Sequence, residues 1–76
     1  MSSDPVSWKV VERGWKVLAA SGEELGTVEE VLGDADADIF HAVMVAHGLL
    51  GRTTEVPAER VSEIREGEVF LDGDEL

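Results

Sequence analysis

A small all-β fold of short strands, a sandwich or a barrel, is what this sequence predicts. Turn signals recur at short intervals: Glu12-Arg13-Gly14, Ser21-Gly22, Gly33-Asp34, His47-Gly48 with Gly51, Val56-Pro57 and Glu66-Gly67. Between them lie apolar runs at residues 15–19, 25–32, 39–46, 53–56, 61–64 and 69–71. The chain has 76 residues, room for one domain. A domain near 60 residues buries only about 60% of the surface its unfolded chain exposes, so the core is thin.

The elements follow in order. Residues 1–9, with Asp4-Pro5, read as a flexible leader, residues 10–72 as the domain and residues 73–76 as an acidic tail. The tail, Gly73-Asp74-Glu75-Leu76, comes near a retrieval signal whose first position needs Lys or His; here it is Gly73. The first firm strand opens at Trp15. The run at 25–32 is ambiguous. Leu25, Val28 and Leu32 fall at helical spacing. Ser21 with Glu24 has the form of a capping box, and Gly33 that of a C-terminal stop. Against a helix, Gly26 and Thr27 are poor helix formers mid-segment, and Leu25, Thr27, Glu29 and Val31 alternate as in a strand.

The run at 39–46 is clearer. Val43 and Val45 share one face with His41 and His47, and Phe40 and Met44 share the other with two alanines. Two largely apolar faces are expected of an interior strand in a small barrel. Pro57 has no N–H to donate, so Val56-Pro57-Ala58-Glu59-Arg60-Val61 reads as a strand end, one helical turn, then the next strand.

The order of these pieces resembles the PRC-barrel family. The residues that carry the likeness are Gly14-Trp15-Lys16-Val17, then Ser21-Gly22-Glu23-Glu24-Leu25-Gly26-Thr27-Val28 and an acidic turn. After the apolar strand come Val56-Pro57-Ala58-Glu59-Arg60-Val61, Ile64, Gly67 and Val69-Phe70-Leu71. The likeness spans residues 10–72. It implies a compact all-β barrel of about six short strands, closed or partly open, and tips residues 25–32 toward strand. It also implies a non-catalytic module. Members occur alone, in the photosynthetic reaction-centre H subunit, in a ribosome-maturation factor that contacts a ribosomal protein, and in archaeal division adaptors. No shared catalytic set carries over, and fold alone names no partner.

Composition narrows the function from the other side. Six Lys plus Arg against 17 Asp plus Glu give a formal net charge of −11. Such a balance disfavours direct nucleic-acid binding and anionic membrane surfaces, which call for clustered cations. It favours solubility and steers a basic partner. It also suits a high-salt setting, where screening cuts self-repulsion. Cysteine is absent, which removes disulfides, thiolate metal sites and thiol nucleophiles. The longest apolar stretch, residues 42–46, is far below the ~20 residues of a membrane helix. The N-terminal residues lack a cationic start followed by an apolar run, so a cytoplasmic chain is expected.

Few residues point to chemistry. Asp34, Asp36 and Asp38 form a D-x-D-x-D run like the start of an EF-hand loop, suited to a divalent cation. The pattern then fails: loop position 6 is Ile39 rather than Gly, and position 12 is Val45 rather than Glu. A solvated turn is the simpler reading, with divalent binding as the alternative. His41 and His47 are six residues apart. That is roughly 20 Å along a strand, too far to share one metal. Ser21 has no nucleophile-elbow context. Carboxylate pairs are too abundant to mark an acid–base site, and no Gly-rich phosphate loop is present. The reading is therefore no enzyme and no cofactor.

His47-Gly48-Leu49-Leu50-Gly51-Arg52 says more: two leucines lie in a Gly-flanked loop. Apolar residues there either close a barrel end or form a contact patch on an acidic surface. Tryptophan is favoured at such anchors. The expected interface is Trp15, Leu49 and Leu50, with Trp8 and Phe40. It serves a non-catalytic interaction module that forms a homodimer or binds a basic protein. The alternatives are a divalent-cation domain built on Asp34, Asp36 and Asp38, and an adaptor in ribosome assembly that binds a basic ribosomal protein.

Overall fold

The computed structural model describes residues 7–76. The part of the expected leader that covers residues 1–6 lies outside the described residues. Six strands form among the described residues: β1 (Lys16–Leu18), β2 (Glu24–Asp34), β3 (Ile39–His47), β4 (Arg52–Pro57), β5 (Val61–Arg65) and β6 (Glu68–Leu71). Two single 3-10 turns, Trp8–Val10 and Ala58–Arg60, complete the secondary structure of the described residues. The second is the helical turn expected after Pro57.

All six strands belong to one sheet in the order β4-β3-β2-β1-β6-β5. Neighbours run antiparallel except β1 and β6, which pair in parallel. The sheet does not close on itself. β4 and β5 are its two edges, so the barrel is the partly open form of the predicted class.

The core lies where the curled sheet faces itself. Val17, Val28, Val43, Val45, Val56, Val69 and Leu71 form one buried cluster drawn from five strands. Val11, Trp15, Leu25, Val31, Phe40, Val61 and Leu76 pack around it. Six of the seven central side chains are valine, a residue that fits the pleated surface well. No polar side chain is buried among the described residues. The thin core therefore bears no desolvation cost from an internal charge.

The segment at 25–32 is a strand, and its irregular pairing places residues three apart on one face. The β1–β2 register slips between Val17 and Leu18, leaving Leu25 as an extra residue on β2. The β2–β3 register slips again between Val28 and Glu30. Each bulge inserts one residue and resets the alternation. Val28 and Val31, three apart, thus both meet inward valines, Val45 and Val43.

The C-terminal residues lie against the barrel. The amide of Ala20 donates to the Gly73 carbonyl at 3.0 Å, and the Ser21 amide donates to Asp74 Oδ1 at 3.3 Å. Arg60 Nη2 donates to the Glu75 carbonyl at 2.6 Å, and Arg60 Nε pairs with Asp72 Oδ1 at 3.2 Å.

Candidate functional site

The acidic run becomes the tip of the β2–β3 hairpin. Asp34 Oδ1 accepts from the amides of Asp36 at 3.0 Å and Ala37 at 3.2 Å, an Asx turn that closes the loop. Asp38 takes a positive φ of 56°. Its Oδ1 accepts from Trp8 Nε1 at 2.9 Å and lies 3.7 Å from Lys9 Nζ. Two of the three carboxylates are thus engaged in building the turn and fastening the segment that precedes β1. Among the described residues no group of three His, Cys, Asp or Glu side chains is placed to hold a metal ion.

Trp8 and Phe40 come together. Their rings stack with centroids 5.4 Å apart and planes 9° from parallel. Gly33, on the neighbouring strand, lets the indole approach. A Cβ there would sit 2.9 Å from Trp8 Cη2 and against the Ile39 carbonyl oxygen. The stack forms one wall of an open groove of about 550 Å³ whose other side is the whole of β5. A second groove, of about 680 Å³, follows Ser62, Glu63 and Arg65 on toward Phe70 and Asp72. Glu63 Oε2 pairs with Arg65 Nε on this strand.

The leucine loop stands elsewhere. Residues 48–51 turn β3 into β4, with positive φ at Gly48 (78°) and Gly51 (66°). Those values suit glycine, and the Gly51 amide closes the turn onto the Gly48 carbonyl at 3.3 Å. Leu49 is fully exposed and Leu50 is 85% exposed. At ~3.3 Å per residue along β3, the loop lies roughly 25 Å from Phe40. Trp15 belongs to neither cluster: it is half-buried against the core. The five expected interface residues therefore divide among a groove wall (Trp8, Phe40), the rim of the core (Trp15) and an exposed turn (Leu49, Leu50).

Neither histidine joins a site. His41 is exposed, and His47 Nε2 shares a hydrogen bond with Thr54 Oγ1 at 2.7 Å across the β3–β4 pair. Comparison of the sequence with known families finds a match: the PRC-barrel domain, over residues 13–76. The chain belongs to the PRC-barrel domain family. No curated protein matches it. Membership in the PRC-barrel family points to a small protein-interaction module. Among the described residues no helix is long and apolar enough to cross a membrane.

The sequence predicts the strand β5 but points to no functional role for it. Glu63 and Arg65 look like ordinary surface charges in the sequence. Only the strand order, with β5 at an edge and the aromatic stack beside it, gives them a setting. The weak signal in the sequence is the alternation of opposite charges about an apolar residue in Glu63-Ile64-Arg65.

Proposed function

We propose that this chain is a non-catalytic, cytoplasmic interaction module that self-associates and binds a basic protein through the Leu49–Leu50 turn. The exposure of both leucines is the observation that carries the reading. Two large apolar side chains stand clear of the core on a turn held by two positive-φ glycines. Full exposure of adjacent leucines is unfavourable in water, and burial of each side chain in a contact is worth about 1.5–3 kcal/mol. A formal charge of −11 supplies long-range attraction to a cationic partner.

The test compares the wild type with Leu49→Ser/Leu50→Ser as bait for basic proteins at low and high salt. The wild type is expected to retain a defined basic protein in a salt-sensitive way. The double variant should lose it at least roughly tenfold, with Tm unchanged, because neither leucine packs in the core. Equal retention by both baits would remove the leucine turn from the reading.

A further inference from the structure

The open edge of the barrel carries a pattern that is complementary to itself. Among the described residues β5 pairs with β6 on one side and with no strand on the other. Arg65 closes the Glu66-Gly67 turn against Glu68. Strand alternation then directs the N–H and C=O of Ile64 away from β6, toward the open edge. Unpaired groups of this kind form a template for another strand. Many proteins block such an edge with charges of one sign, which repel a copy. Here the edge reads Glu63-Ile64-Arg65.

We propose that two copies of this chain pair their β5 strands antiparallel about Ile64, so that one sheet runs through both. The proposal rests on the reading of the chain as a self-associating module and names the surface used. In this register Ile64 faces Ile64 of the second copy and exchanges both backbone hydrogen bonds with it. Glu63 faces Arg65 of the second copy, and Arg65 faces its Glu63. All four side chains fall on one face of the joined sheet, because residues two apart on a strand share a face. The intrachain Glu63–Arg65 pair becomes part of a four-charge alternating cluster with no like-charge neighbours opposite one another.

The contact is isologous and closes at two copies, as twofold symmetry requires. A five-residue edge is a small interface by itself. The Trp8–Phe40 wall of the adjoining groove supplies apolar surface beside the incoming strand. The other edge, β4, ends at Pro57, which has no N–H to offer. Both described grooves follow β5.

The test uses Glu63→Arg and Arg65→Glu, read by light scattering after size exclusion over a range of concentration. Runs at about 0.15 M and about 1 M NaCl separate the specific pairing from the general repulsion of two acidic chains. The wild type is expected to dimerise. Each single reversal sets like charges opposite one another twice and should weaken the dimer by more than roughly tenfold. One variant then offers two cations on this edge and the other two carboxylates. An equimolar mixture of the two should form a heterodimer, and the doubly exchanged chain, Glu63→Arg with Arg65→Glu, should dimerise again. These variants keep their β5–β6 pairing if Tm is retained, and the recovery in the mixture excludes misfolding as the cause. A dimer that survives both single reversals overturns the β5 surface. If that dimer is lost in Leu49→Ser/Leu50→Ser, self-association stands and belongs to the leucine turn. A wild type that is monomeric throughout overturns both the surface and the self-association reading.

Discussion

Asp38 joins three demands in one side chain. Its backbone is left-handed, with φ at 56°. Its carboxylate receives the Trp8 indole N–H at 2.9 Å and stands near Lys9. Asn tolerates the same backbone and keeps an oxygen acceptor, whereas Ala does neither. Asp38→Asn should therefore leave Tm nearly unchanged, because the Lys9 pair is exposed and such pairs contribute little. Asp38→Ala should lose about 1–2 kcal/mol, from the strained backbone and the missing hydrogen bond. For a domain of this size that is a fall of roughly 4–16 °C. Thermal denaturation with tryptophan emission measures both; an Asp38→Ala variant as stable as Asp38→Asn would show that neither the left-handed backbone nor the indole contact contributes. Trp8 also marks a limit of sequence reading. Its partners Asp38 and Phe40 lie 30 and 32 residues away. No local pattern links an aromatic residue before the first strand to a hairpin tip that far along the chain. Leu49 and Leu50 were legible for the opposite reason: glycines on both sides fix a tight turn locally, and a tight turn leaves its central side chains outside.

The strand elements were legible because turn residues punctuate them, and β2 is where that legibility failed. A bulge leaves Val28 and Val31 on one face at a separation of three. A sequence cannot distinguish that spacing from one helical turn, since the extra residue appears only when the partner strand is counted. Gly26 shows what the irregular strand needs. A Cβ at this position would meet the Ala46 carbonyl oxygen and stand 2.9 Å from Val45 Cγ1. Both neighbours belong to β3 and cannot move without disturbing the central core. Gly26→Ala should cost about 1–3 kcal/mol by overpacking, although alanine is the better residue for chain entropy. Chemical denaturation should show a lower midpoint with an unchanged slope. An equal or higher midpoint would mean that β2 shifts outward at no cost, and that the close β2–β3 approach is not required. The β5–β6 hairpin was also legible, through Glu66-Gly67, yet its place at the edge was not. Pairing of β1 with β6 in parallel sets that place, and a contact between the first and last strands leaves no trace in short-range periodicity.

At the scale of the whole molecule, charge opposes the fold that the valine core favours. Seventeen carboxylates against six cations occupy a chain whose radius of gyration is 11.6 Å. Their mean separation is thus comparable to the Debye length at about 0.1 M salt, near 10 Å, and well beyond the roughly 3 Å at 1 M. At low salt the compact state bears a repulsion that the expanded chain relieves. The ion pairs Lys9–Asp38, Arg13–Glu29, Arg60–Asp72 and Arg65–Glu63 lie at least partly exposed and offset little of it. Raising NaCl from about 0.05 M to about 1 M should therefore stabilise the fold by about 1 kcal/mol, an increase in Tm of roughly 4–8 °C. The experiment must be run dilute enough that the chain is monomeric, because dimer formation would raise Tm by mass action and mimic the effect. Screening also weakens the favourable pairs, so the sign of the change shows which effect is larger. A Tm that falls with salt would mean that specific ion pairs outweigh the repulsion, and the acidic surface would then be a source of stability rather than its cost. A rising Tm would mean that the acidity is carried against the interest of the folded state, leaving solubility, a salty environment or a cationic partner to account for it. The same titration followed by light scattering separates the last of these: screening strengthens contact between two acidic copies and weakens contact with a basic protein.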